Sequence, residues 1–177
     1  MHYTGYYESP LGVIELASDG KTLTGLRFLE QGLNNPPVKK KGNDKNDLPV
    51  FGETSHWLDI YFTGTDPGFA PPLSLSGSPF QLTVWRLLLT IPFGRTMSYG
   101  EIADIIARER GIKKMSAQAV GGAVGRNPVS LIVPCHRVIG SDGKLTGYGG
   151  GIERKLSLLK LEGIITDNTA KGLQNHH

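Results

Sequence analysis

A chain that turns from a β-rich first half to a helical second half predicts an α/β (α+β) fold in two parts. Three observations carry that expectation. Residues 3–29 alternate in short runs separated by turn signals. Residues 64–79 (GTDPGFAPPLSLSGSP) form a Pro-, Gly- and Ser-rich break that reads as an interdomain linker. Beyond the break, helix start signals recur at short intervals. The boundaries that follow are a β-rich part with its linker over 1–77, a helical part over 78–165 and a flexible tail over 166–177.

In the first part, YTGYYES, GVIELASD and LTGLRFL are joined by Ser9-Pro10-Leu11-Gly12 and Asp19-Gly20, which predicts a β-meander. Residues 31–49 (QGLNNPPVKKKGNDKNDLP) are polar and broken by Pro, Gly and Asn, the composition of a long mobile loop. Phe51, Leu58, Tyr61 and Phe62 recur near helical spacing, so a helix is expected over 50–63, ended by Gly64.

In the second part, Ser78-Pro79-Phe80-Gln81 supplies an N-cap, a proline at the first helical position and a capping-box Gln. Ser98-Tyr99-Gly100-Glu101 is a second capping box, with Ile102, Ile105 and Ile106 as the buried stripe and Gly111 as the stop. Ser116 caps a third helix, AQAVGGAVGR, and the pair suggests a helix-turn-helix. Gly121, Gly122 and Gly125 each cost that helix about 1 kcal/mol relative to Ala. Either tight internal packing or a partner surface approaching the helix backbone must offset the cost. The apolar run Leu131-Ile132-Val133 reads as a short strand leading to Pro134 and Cys135. Ile152, Leu156 and Leu159 mark a last helix, closed by Gly163.

Composition narrows the function classes. The 177 residues, 38% hydrophobic and 20% charged, fit a folded soluble protein. No apolar run approaches the roughly 18–20 residues of a bilayer span, so no membrane is expected as a partner, and MHYTGYYESP lacks a signal-peptide pattern. One cysteine excludes an internal disulfide and a multi-cysteine zinc site, and makes the cytoplasm the expected compartment. Residues 78–163 hold twelve Lys/Arg against six acids, an excess suited either to an ordinary solvated surface or to a polyanion.

The chemistry centres on LIVPCHRVIG. A lone cysteine after three aliphatic residues is a candidate core residue. Against that, a proline, two basic residues and the Gly140–Gly143 turn crowd around it, and His136 and Arg137 are expected to depress the thiol pKa. Asn127 stands eight residues upstream, at the end of a helix. In an extended segment adjacent side chains diverge, so His136 needs a turn or a water to reach the thiol. An acid must also orient the imidazole, and spacing leaves both Glu153 and Glu162 open. A Cys-His hydrolase and a non-catalytic DNA-damage sensor are the rival readings. No oxyanion hole is marked for the first.

PCHRVIG, preceded by AVGGAVGRNP and followed by GYGGGIERKLSLLKLEG, resembles the O6-alkylguanine-DNA alkyltransferases, the methylated-DNA–protein-cysteine methyltransferases. The likeness runs from about Ser78 to Gly163 and includes IPFGRTMSYGEIA. It implies a variable, ribonuclease-H-like first domain and a winged helix-turn-helix-like second one. Inactive relatives carry Trp at the thiol position, whereas Cys135 is present here.

The resemblance implies that Cys135 accepts the alkyl group irreversibly, once per molecule, from O6-alkylguanine, with O4-methylthymine as a second candidate substrate. It makes His136 the base acting through water, Glu162 its orienting acid, and Asn127 the organiser of the turn before the nucleophile. Tyr99 bonds the flipped base, and Tyr148, Gly149 and the backbone at Val138 line its pocket. Gln118, Ala119, Gly121, Gly122, Ala123 and Arg126 form the helix face that enters the minor groove of double-stranded DNA. Gln118 departs from the family pattern, which often places an arginine there to fill the gap left by the flipped base. Glutamine keeps hydrogen bonding but loses the charge and planar fork. No cofactor, no metal and a monomeric state are expected.

Overall fold

The computed structural model describes residues 2–30 and 48–167. The expected loop over 31–49 and the tail over 166–177 therefore lie mostly outside the described residues. The chain divides into two compact units, Met1–Ser76 and Gly77–His177. No helix among the described residues is long and apolar enough to cross a membrane.

In the first unit β1 (Tyr3–Ser9), β2 (Gly12–Ser18) and β3 (Leu23–Phe28) form an antiparallel meander in chain order. Ile14 and Leu16 alternate inward along β2, as a strand's period of two requires. On β3 the buried residues are Leu23, Leu26 and Phe28, so the period slips once. The slip is taken up where Ala17 pairs with Gly25 and Ser18 with Leu23, which leaves Thr24 as an extra residue. The Asp19 carboxylate accepts from the amides of Lys21 and Thr22 (2.9 and 2.7 Å) and closes the predicted turn. Helix α1 (Pro49–Tyr61) buries Val50, Phe51, Trp57, Leu58 and Tyr61. The linker reading of 64–79 needs correction. Leu23 bonds the Pro72 carbonyl and receives the Ser74 amide (2.7 and 3.0 Å), and the Phe69 carbonyl accepts from Trp57 Nε1 (2.8 Å). These bonds fasten most of the segment to the first unit.

The second unit follows its caps. Ser78 and Gln81 bond reciprocally at the start of α2 (Pro79–Leu88), as do Ser98 and Glu101 at the start of α3 (Tyr99–Arg110). Gly111, at φ 66°, takes the left-handed conformation that ends α3. The buried stripe of α3 is Ile102, Ala103, Ile106 and Ala107, with Ile105 only half-buried. Ser116 caps α4 (Ala117–Gly125), whose Ala123 carbonyl accepts from Trp85 Nε1 of α2 (2.8 Å).

After α4 the structure departs from expectation. Leu131-Ile132-Val133 is not a strand but a buried turn, with Leu131 at φ 70°. Cys135–Arg137 then forms a single turn of 3-10 helix, followed by β5 (Val138–Ile139). β5 pairs in parallel with β4 (Met97–Ser98), Met97 against Val138 and Ser98 against Ile139. This short ladder sets Tyr99, the first residue of α3, beside the chain leaving Cys135. Helix α5 (Ile152–Leu161) completes the unit.

Candidate active site

Cys135 is 7% exposed and stands on the wall of a cavity of about 640 Å³, all of it within the second unit. Tyr99 and Gly100 contribute from the start of α3, and Ala117, Gln118, Gly121, Val124 and Gly125 from α4. Asn127 and Ser130 come from the buried turn, and Gly140, Ser141, Thr146, Gly147, Tyr148 and Gly149 from the loop between β5 and α5. The volume falls within the range of small-ligand sites.

The turn that presents the thiol is held by Asn127. Its side-chain amide donates to the Val133 carbonyl (2.7 Å), and its oxygen accepts from the Val129 amide (3.0 Å). A strand would have used those backbone groups in a ladder; here one side chain satisfies them. Burial pushes the Cys135 thiol up, opposed by hydrogen bonding from Asn127, the Lys155 charge and hydrogen bonding from Ser130. The expectation that His136 and Arg137 depress the thiol is therefore corrected. Both of those side chains are bonded to another partner.

That partner is Glu162. One of its carboxylate oxygens bonds His136 Nε2, and the other accepts from Arg137 Nε (2.7 Å) and the Gly94 amide (3.1 Å). Arg137 also donates to the Ile91 carbonyl (2.7 Å), and its guanidinium lies 5.7 Å from the Phe93 ring centroid. Burial alone would raise the Glu162 carboxyl, but the His136 hydrogen bond and the His136 and Arg137 charges hold it at about 2. Burial lowers His136, against the pull of the Glu162 hydrogen bond and charge. A neutral ring that gives its Nε2 proton to Glu162 carries its lone pair on Nδ1. Of the two acids that spacing left open, only Glu162 meets His136. Glu153 is exposed in the first turn of α5.

The helix face divides. Gln118 and Gly121 line the cavity, whereas Ala119, Gly122 and Arg126 are exposed outside its wall. Ala123 is 4% exposed and packs inward, so its place on a groove-facing surface is corrected. A Cβ at Gly121 would sit 3.7 Å from the Tyr99 ring, an ordinary contact, and one at Gly122 or Gly125 would meet open space. Internal packing therefore does not require those glycines. Tyr148 and Gly149 line the cavity, but Val138 is fully buried and its carbonyl is occupied by Lys155 Nζ (2.6 Å), so it is not a pocket wall. The Tyr99 hydroxyl donates to the Thr146 carbonyl at 3.3 Å.

Lys155, Ser130 and the Gly94 amide were missed by sequence reasoning. Lys155 had a readable signal: it falls on the stripe of Ile152, Leu156 and Leu159, where a lysine has no reason to be unless its charge is used.

Two family models match the chain. The 6-O-methylguanine DNA methyltransferase DNA binding domain covers residues 79–164, and the ribonuclease-like domain of the same name covers residues 2–75. The methylated-DNA–protein-cysteine methyltransferase of Mycobacterium tuberculosis is 48% identical over 155 residues, 88% of each chain. That of Haemophilus influenzae is 42% identical over 166 residues, 93% of this chain and 87% of the relative. The solved O6-methylguanine methyltransferase of M. tuberculosis matches with a TM-score of 0.75 at 44% identity, covering 97% of this chain and 99% of that one. M. tuberculosis OGT in complex with DNA matches with a TM-score of 0.72 at 46% identity, covering 89% and 90%.

Proposed function

Since the chain belongs to the 6-O-methylguanine DNA methyltransferase family, we propose that it is a DNA repair protein that moves the alkyl group of O6-alkylguanine onto its own Cys135. The observation that carries the reading is the cavity, which puts the chain's one thiol on a shared wall with Tyr99, Asn127 and the glycine face of α4.

A guanine stacked in a duplex cannot present its oxygen to a recessed thiol, so the nucleotide is flipped into the cavity at a cost of a few kcal/mol. His136 takes the thiol proton on Nδ1 through a water, and Glu162 keeps the imidazole oriented and balances the charge it gains. The thiolate attacks the alkyl carbon in line. An S–C bond forms as the C–O bond breaks, and the electron pair returns to the guanine, which is protonated with help from the Tyr99 hydroxyl. The long Tyr99–Thr146 bond is one that an incoming base can displace. The thioether is a poor leaving group and the chain has no second thiol to take the alkyl group on, so each molecule acts once.

The basic excess over 78–163 suits phosphate contacts with little sequence preference. Exposed Gly122 and Gly125 let a minor groove approach the backbone of α4 closely. Gln118 fills the place of the flipped base without an arginine's charge. We place the protein in the cytoplasm, where a free thiol stays reduced.

The test is to incubate the protein with duplexes carrying O6-methylguanine and to measure the mass of the Cys135 peptide. One methyl group gained stoichiometrically, and none in C135S, is expected. Unmodified Cys135 after the lesion is bound would sink the reading. A parallel duplex carrying O4-methylthymine assigns or removes the second substrate.

A further inference from the structure

Lys155 is fully buried on α5, on the apolar stripe of that helix. Its ammonium donates to the Val138 carbonyl (2.6 Å) and the Thr146 carbonyl (3.0 Å). Among the described residues no carboxylate pairs with it. A buried cation with only neutral acceptors is costly, and a chain that retains one has a use for the charge.

The two carbonyls fix where that charge sits. Val138 follows the Cys135–Arg137 turn directly, and Thr146 belongs to the loop that walls the cavity. The ammonium is thus tied to both sides of the thiol. On the side of the turn its charge acts on Cys135 and His136, while Arg137 is bonded to Glu162. From the loop Tyr148 shares the cavity wall with the thiol, and the charge of Arg154 of α5 acts on it. Asn127 and Ser130, the remaining neighbours of the sulfur, are neutral. Among the described residues the Lys155 charge is the leading cationic influence on the thiol.

We propose that Lys155 is the fixed counter-cation of the Cys135 thiolate, a positioning residue that makes the recessed thiol ionisable while tying the cavity loop to the nucleophile's turn. The proposal rests on Cys135 being the alkyl acceptor. When His136 removes the proton, the negative charge on sulfur forms beside a positive one already in place, as electrostatic preorganisation requires. When the alkyl group arrives, sulfur becomes a neutral thioether and the ammonium's partner is gone. Burial draws Lys155 down to about 8, opposed by Cys135, which is the mutual dependence expected of such a pair.

The single cysteine makes the test clean, because iodoacetamide reports the thiolate fraction of Cys135 alone. The full chain is compared as wild type, K155R, K155Q and K155M, each checked for folding by its thermal transition. In the folded neutral variants the pH midpoint of alkylation should rise by about one unit, lowering the rate near pH 7 about tenfold. Methyl transfer from O6-methylguanine duplexes should fall in proportion, and K155R should keep a midpoint close to wild type. If K155M does not fold, K155Q against K155R decides. A folded neutral variant with the wild-type midpoint overturns the proposal, as does an arginine variant displaced as far as the glutamine one. Failure of the wild type to accept a methyl group would instead remove the acceptor reading, and the iodoacetamide comparison would still stand.

Discussion

The two sides of the Cys135–Arg137 turn are built on opposite principles. Behind it, Glu162 gathers His136, Arg137 and the Gly94 amide into one buried network. In front of it lies open space, bordered by the glycines of α4 and by a loop with four glycines among residues 140–149. The back is tightly determined and the front is bare. The difference teaches where stability and function reside: changes behind the thiol should cost folding and chemistry together, and changes in front should trade one against the other.

The sharpest way to break the comparison is at Glu162. E162A leaves His136 and Arg137 buried without their carboxylate, and removing one partner of a buried pair costs about 3–5 kcal/mol. A large drop in denaturation midpoint is expected, with methyl transfer lost in step. The same network sets the acid response. Glu162 is held at about 2 against an ordinary value of 4.5, so its contribution is complete above 4.5 and is lost as pH falls towards 2. His136, lowered by burial, works in the same direction: the unfolded chain takes up its proton first, so stability starts to fall once pH drops below about 6.5. Urea titrations between pH 4.5 and 3, the window of Glu162 itself, should therefore show wild type losing stability faster than E162A. Parallel slopes would mean that the network is not what holds the turn.

This division explains which parts were legible in the sequence. Ser78 with Gln81, Ser98 with Glu101, Ser116 and Gly111 were readable because a cap is written within four residues of the group it satisfies. Leu131-Ile132-Val133 was misread because burial, not strand pairing, makes that run apolar. The bonds that decide its conformation come from Asn127, and no period records them. Glu162 lies 26 residues from His136, so spacing could not prefer it to Glu153; the family resemblance did. Arg137 looked like a neighbour of the thiol because it is one in sequence. One turn of 3-10 helix sends it to the opposite side.

A gentler change tests the front. Gln118 is exposed at the cavity rim, so Q118R should leave stability within about 0.5 kcal/mol of wild type. Affinity for a lesion-bearing duplex and the transfer rate should each rise severalfold, because arginine restores a charged planar fork where the base leaves the stack. Fluorescence anisotropy and single-turnover kinetics read the two separately. No change in either would show that this chain flips the base by other means.

The smallest expected effect carries the clearest sign. Gly122 is exposed in the middle of α4, and a Cβ added there meets nothing within the protein. G122A should therefore stabilise the helix by up to about 1 kcal/mol, raising the melting temperature by about 2–4 °C. If a minor groove lies against that backbone, the same methyl group must hold the DNA away and weaken binding severalfold. A variant that is both more stable and poorer at binding would explain why a helix with no internal need for glycine keeps it. A stabilised variant that binds as well as wild type would place the groove elsewhere on the second unit and return Gly122 to the surface as an unexplained cost.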